Sequence, residues 1–71
     1  MLTLDDLIAD TLHGRVVWTR DGDPQASWHG RTVFVAAQQT YMRVTKGDWM
    51  TLGPADDLRR AIEHRQRTAT S

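Results

Sequence analysis

The N-terminal part of the chain repeats apolar residues at the spacing of an amphipathic helix. Thr3 precedes the repeat and Asp6 follows three residues later, which is a short-armed form of the capping box that begins helices. His13 and Gly14 follow the last apolar position, and glycine commonly ends helices because it adopts positive φ without strain. These signals predict a helix over residues 3–13, with an apolar stripe formed by Leu4, Leu7, Ile8, Thr11 and Leu12.

Beyond this helix the pattern changes to short β-branched and aromatic runs that are separated by turn residues. Strands are predicted over 15–20, 25–28, 31–36, 40–45 and 49–52, with turns over 21–24 and 46–48. The sequence leaves two alternatives for each of two connections. Residues 29–30 form either a two-residue hairpin turn or a bulge in one longer strand, and residues 37–39 either end a strand or connect two.

A second helix is predicted after Gly53, with Pro54 at its first position, where the missing N–H costs nothing. Asp56 and Asp57 then lie in the first turn, where they interact favourably with the helix dipole. The apolar face of this helix consists of Ala55, Leu58, Ala61 and Ile62. The last residues, 68–71, offer nothing to bury and are predicted to be a frayed tail.

The order of these elements predicts an α+β fold. The connections are too short for parallel crossovers, so the four- to five-stranded sheet is expected to be antiparallel. Because the chain has no second sheet, both the N-terminal and the C-terminal helix are expected to pack on one sheet face. Residues 1–67 are predicted to form a single domain.

Composition narrows the function classes. With 71 residues and no cysteine, the chain has a thin core and neither disulfides nor thiolate metal sites, so a homodimer is one way to add buried area. Nine basic and nine acidic residues balance to zero net charge, which argues against a dedicated nucleic-acid binder.

The apolar runs are far shorter than the ~20 residues that span a bilayer. The first residues are acidic, unlike a secretory signal, so a cytoplasmic protein without membrane contact is predicted.

The polar residues form no recognisable catalytic or metal-binding pattern. The histidines, His13, His29 and His64, are scattered, and the carboxylates of 5–6 and 56–57 are explained by the helix dipole. Residues 21–23 hold two aspartates around a glycine but lack the other ligands of a calcium loop. We therefore expect no enzyme activity, no metal and no cofactor.

The aromatic residues suggest a surface for a partner. Val33 and Val35 alternate with Phe34, so both faces of that strand are apolar, whereas a two-layer fold has one interior face. Either the second face is exposed for a partner, or the sheet curls enough to bury both. The predicted partner-binding residues, which combine this surplus with basic and aromatic residues near turns, are Trp28, His29, Arg31, Phe34, Tyr41, Arg43 and Trp49.

The leading hypothesis is a non-catalytic small binding protein that acts through protein–protein contact. Small chains of this kind are typical of accessory or regulatory proteins, including inhibitors made by phages and mobile elements, and an anti-CRISPR-like, host-directed inhibitor is one concrete form. The alternative is a nucleic-acid-binding accessory protein that uses turn aromatics and the basic residues of the second helix, Arg59, Arg60, Arg65 and Arg67. Those arginines are also compatible with an ordinary solvated helix face.

Overall fold

The computed structural model describes residues 2–20, 22–45 and 47–70, without the side chains of Thr45 and of residues 68–70. The elements in chain order are α1 (Leu4–Leu12), β1 (Gln25–Trp28), β2 (Arg31–Val35), β3 (Gln39–Thr45), β4 (Asp48–Pro54) and α2 (Asp56–Thr70). All neighbouring strands pair antiparallel in the order β1-β2-β3-β4. The α+β fold with an antiparallel sheet is therefore confirmed. The parts of the predicted turns and tail that fall on Asp21, Lys46 and Ser71 lie outside the described residues.

Local interactions explain where α1 begins and ends. The Asp6 N–H donates to Thr3 Oγ1 at 3.2 Å, and the Thr3 N–H donates to Asp6 Oδ2 at 3.1 Å, so the capping box is present. His13 is the C-cap, and Gly14 follows with φ of 74°. The helix is thus specified almost entirely by residues within it and beside it.

A tight hairpin joins β1 to β2. His29 and Gly30 have φ values of 51° and 73°, and the flanking residues Trp28 and Arg31 pair with each other. Two successive positive φ angles are typical of a two-residue type I′ turn, so the hairpin alternative is correct. The second open connection is a turn, because the Ala36 N–H donates to the Gln39 carbonyl at 2.9 Å and β3 begins at Gln39.

The strand predicted over 15–20 is not confirmed, since the described part of the sheet has four strands and none of them includes these residues. The segment does alternate, with Val16 and Trp18 buried and Val17 86% exposed. However, the Trp18 indole N–H donates to Thr11 Oγ1 in α1 at 3.1 Å. The segment is therefore held by this side-chain contact to α1 and by hydrogen bonds between Thr19 and Gln25 at the end of β1, without forming a paired strand.

Pro54 ends β4 instead of beginning α2, so its predicted position in the helix is wrong. It pairs with Gln39, and α2 starts two residues later at Asp56. An edge strand tolerates proline because one row of its backbone groups has no partner strand. Gly53, just before it, has φ of 152°, and a Cβ there would lie 2.9 Å from Leu4 Cδ2, so β4 and α1 approach closely at this glycine.

The strand residues of the core lie on one face of the sheet. Leu7 of α1 and Leu58 of α2 are fully buried and belong to the same cluster as Val33 and Val35 of β2. We call the sheet face that carries these valines the inner face and the opposite face the outer face. The remaining buried members of the cluster are Val16, Trp18, Ala26, Trp28, Met42, Ala55 and Ile62.

Candidate binding surface

The strand register brings three aromatic side chains together on the outer face. Phe34 of β2 pairs with Tyr41 of β3, and Arg43 of β3 pairs with Trp49 of β4. Tyr41 and Arg43 are two residues apart and therefore share a face. We call Phe34, Tyr41, Arg43 and Trp49 the outer aromatic cluster.

The rings of this cluster pack on one another. The Phe34 and Tyr41 centroids are 5.1 Å apart with an interplanar angle of 23°, and the Phe34 and Trp49 centroids are 5.0 Å apart at 88°. Both are favourable geometries, stacked and edge-to-face, respectively. The guanidinium carbon of Arg43 lies 5.9 Å from the Trp49 ring centroid, within cation–π distance. These contacts hold the four side chains in a defined arrangement on the sheet.

The outer aromatic cluster remains accessible to solvent. Trp49 is 43% exposed, Arg43 is exposed, and Phe34 and Tyr41 are half-buried, whereas Val33 and Val35 on the inner face are fully buried. The outer-face residues around the cluster are all exposed and uncharged: Gln25, Ser27, Thr32 and Thr51. The apolar side chains that the sequence predicted on a second face of the sheet are therefore those of this cluster.

Trp28 and His29 lie elsewhere. Trp28 is 4% exposed and belongs to the core, and its indole N–H donates to Asp10 Oδ2 at 2.8 Å. The His29 ring packs edge-on against Trp28 with centroids 5.1 Å apart, and its Nε2 lies 3.9 Å from the same carboxylate oxygen. Trp28 thus joins β1 to α1, and its ring is not available to a surface contact.

The Asp10 carboxylate of α1 is the negatively charged group at this contact between α1 and β1. Its pKa lies below the usual value, first because the Trp28 indole donates to the charged form, and then because Arg15 donates to it and His29 is near. Partial desolvation acts in the opposite direction. Arg15 Nη1 lies 3.4 Å from Asp10 Oδ1. The arrangement is a structural anchor between the helix and the first hairpin.

Arg31 lies on the inner face, away from the outer aromatic cluster. It pairs with Trp28, and its Nη1 donates to the Val44 carbonyl at 3.0 Å. Together with Leu2, Met42 and Met50 it lines an open groove at the β4 end of the inner face. Met50 is 38% exposed, and the sequence prediction did not include it. The sequence could have indicated Met50, because it directly follows Trp49 in the predicted strand and consecutive strand residues face opposite sides of the sheet.

The arginines of α2 do not form one uniform basic surface. Arg59 donates to the Ala36 carbonyl, and Arg60 Nη1 lies 3.0 Å from Asp57 Oδ1 in the same helix. Arg65 lies against Gly14, and Arg67 lines a shallow groove with Arg20, Glu63 and Gln66. All four predicted nucleic-acid contacts therefore have interactions within the protein.

The three histidines occupy separate places, at the C-cap of α1, the first hairpin turn and α2. Within residues 2–20, 22–45 and 47–70, no three His, Asp or Glu side chains come together as a metal site would require. Neither described helix combines the length and the apolar character needed to cross a membrane.

Comparison with protein-family models, with curated protein sequences and with solved structures gave no significant match. The functional conclusion therefore depends on the geometry of the outer aromatic cluster.

Proposed function

We propose that this protein is a non-catalytic binding protein that acts through protein–protein contact, with the outer aromatic cluster as its contact surface. The observation that carries the proposal is a set of three aromatic rings on three neighbouring strands, in which Tyr41 and Trp49 both pack on Phe34 and Trp49 is exposed beside Arg43. Tryptophan, tyrosine and arginine are the residues that most often dominate binding energy at interfaces. The proposal takes both helices to pack on the inner face, which leaves the outer face uncovered.

The area that Trp49 exposes is large enough to matter for binding. A tryptophan side chain buries up to about 250 Å², so an exposed fraction of 43% corresponds to roughly 100 Å². At ~25 cal/mol per Å², covering that area contributes about 2–3 kcal/mol. This is equivalent to about 30- to 150-fold in the dissociation constant.

The cluster favours a protein partner over a nucleic acid. Phe34 is already stacked on Tyr41 and met by Trp49, so its ring is not free to stack on a base. Binding to nucleic acid depends on several phosphate contacts, and among the described outer-face strand residues Arg43 is the only cation. The zero net charge agrees with this preference.

An inhibitor or accessory protein of a phage or mobile element can act by occupying a surface of its partner in this way. That role, in the cytoplasm, is the concrete form that we give to the proposal. It requires no catalytic group, and the outer aromatic cluster contains no carboxylate, histidine or hydroxyl nucleophile other than the Tyr41 phenol.

The test is affinity capture from lysate of the source cells with matched variants. Trp49→Ala removes the exposed ring, and Leu12→Ala removes an apolar side chain of nearly equal exposure, 44%, from α1. We expect one near-stoichiometric protein to be retained by the wild type and by Leu12→Ala and to be lost with Trp49→Ala. Calorimetry with the purified partner is then expected to give a dissociation constant about 30- to 150-fold higher for Trp49→Ala.

Two outcomes would contradict the proposal. One is capture of the same partner by the wild type and by Trp49→Ala with equal affinity. The other is tight binding to single- or double-stranded oligonucleotides that falls steeply with salt, which would favour the nucleic-acid alternative.

A further inference from the structure

An open depression lies beside the outer aromatic cluster on the outer face of the sheet. It has a volume of about 320 Å³, and Val17, at 86% exposure, borders it together with the outer-face residues Gln25, Ser27 and Thr32. The depression is on the β1 side of the face, whereas Trp49 is on the β4 side. The depression and the outer aromatic cluster together extend across all four strands, and we call them the outer surface.

The outer surface carries a single charge. Arg43 is the only charged residue among the described strand residues of the outer face, and none of the described residues that border the depression is charged. Two carboxylates are close in sequence but lie outside this set. Asp23 precedes β1, and Asp48 precedes Trp49, so strand alternation places Asp48 on the inner face, and it has interactions of its own. The outer surface therefore suits a ligand that is itself uncharged.

The hydrogen-bonding groups that cannot change role on this surface are donors. The indole N–H groups of the buried Trp18 and Trp28 donate to side chains of α1, whereas the Trp49 indole N–H has no hydrogen-bond partner within the described part of the chain. The Trp49 indole and the Arg43 guanidinium donate and cannot accept. Hydroxyl and amide side chains can do both, and no carboxylate, which only accepts, is present among the described residues of the surface. The complementary ligand thus offers more acceptors than donors.

We propose that the outer surface binds a proline-rich segment of the partner protein in the polyproline II conformation. This inference rests on the proposed function and names the chemical class of the partner. Proline has no N–H, and a polyproline II backbone makes no internal hydrogen bonds, so its carbonyls are free to accept from Trp49 and Arg43. Its uncharged rings pack on aromatic side chains, and its conformation is largely preformed, so that binding orders little additional chain.

The dimensions of the outer surface fit such a segment better than a second copy of the chain. From β1 to β4 the surface extends about 14 Å, which about five residues of a polyproline II helix span. With roughly 15 Å along the strands, it covers about 200 Å² in projection. Even if side-chain relief doubles that area, it stays below the about 800 Å² that each copy contributes to a standard interface. Two copies face to face would also oppose the donors of Trp49 and Arg43 to one another with no carboxylate between them.

The experiment titrates the isotope-labelled full chain with a decaproline peptide and follows its N–H resonances by NMR. We expect a saturable shift of the Trp49 indole resonance and of the amide resonances of Phe34 and Tyr41. A glycine–serine peptide of the same length is expected to cause no shift, because its backbone is not preformed and it has no rings.

Variants separate the ring of Trp49 from its N–H. Trp49→Ala is expected to abolish the shifts at Phe34 and Tyr41. Trp49→Phe keeps a ring but removes the donor, and it is expected to bind decaproline about fivefold more weakly, the equivalent of one hydrogen bond. The matched control is Leu12→Ala, which removes an apolar side chain of nearly equal exposure from α1 and is expected to leave binding unchanged.

Other results would overturn the inference. No shift with decaproline, or equal shifts with the glycine–serine peptide, would contradict recognition of proline-rich segments, and equal affinity of Trp49→Phe would contradict donation from the indole. Outer-face resonances that shift with protein concentration alone would show that a second copy occupies the surface. With any of these results, a partner captured through Trp49 would leave the proposed function standing, whereas a partner captured independently of Trp49 would refute the proposed function itself.

Discussion

Thr11 provides a direct test of how the 15–20 segment is held against α1. The side chain is fully buried, its hydroxyl donates to the Leu7 carbonyl at 2.8 Å, and it accepts from the Trp18 indole N–H at 3.1 Å. Thr11→Val keeps nearly the same volume but removes the oxygen. The indole N–H of Trp18, a residue that is 8% exposed, then loses its acceptor.

The size of the effect follows from leaving a buried donor unpaired. Such a loss costs about 1–3 kcal/mol, so we expect Thr11→Val to lower the free energy of unfolding by about that amount. For a domain of this size, each kcal/mol lowers Tm by roughly 4–8 °C. The lost donation to Leu7 adds little, because that carbonyl lies within the helix, where it also has a backbone donor.

The assay is urea unfolding followed by far-UV circular dichroism, with Trp18→Phe and the Thr11→Val/Trp18→Phe double variant as partners in a double-mutant cycle. Replacing both polar groups leaves no unpaired donor, so the double variant should be more stable than the sum of the single effects predicts, by about 1 kcal/mol. Equal m-values would show that the same surface is exposed on unfolding. If the two single effects on the free energy of unfolding add up to that of the double variant within about 0.3 kcal/mol, the hydrogen bond between Trp18 and Thr11 is refuted.

Two further predictions concern the contacts that join α1 to the sheet. Because the pKa of Asp10 is lowered in the folded protein, its contribution to stability is fully present above the unfolded pKa of about 3.9 and is lost as pH falls through the folded pKa. The stability gap between the wild type and Asp10→Asn, measured by urea unfolding, should therefore shrink between about pH 5 and pH 2; a constant gap would contradict this. Gly53 has φ of 152° and lies close to Leu4, so Gly53→Ala should lower the free energy of unfolding by about 1–3 kcal/mol. If part of the lost thermal stability is recovered when Leu4→Ala is added, that part is due to the close approach of the two residues.

Much of the outer aromatic cluster was predictable from strand alternation. Phe34 lies between Val33 and Val35, so it had to face away from whichever side buries the valines. The pairing of Arg43 with Trp49 was not predictable, because it depends on register shifts that make Val44 and Leu52 extra residues in their strands. No local pattern in the sequence marks either bulge.

Trp28 shows why nearness to a turn is a weak guide to function. It immediately precedes the His29-Gly30 turn, where binding residues are often found. Its surroundings are set instead by Asp10, 18 residues earlier, whose carboxylate accepts from the indole. That contact exists only because α1 and β1 meet in the folded chain.

By itself, the sequence determined the elements whose signals lie within a few residues of one another. The capping box of Thr3 and Asp6 belongs to this class, since it depends on neighbouring backbone and side-chain groups. For residues 29–30 the sequence indicated a turn or a bulge, and the structure decided for the hairpin turn. Only the tertiary structure decided that residues 15–20 contact α1 through Trp18 and Thr11 and do not form a fifth strand, and that Phe34, Tyr41 and Trp49 meet on one face. The physical reason is that β propensity describes a residue's fit to a pleated surface, whereas pairing, register and burial depend on partners that are distant in sequence.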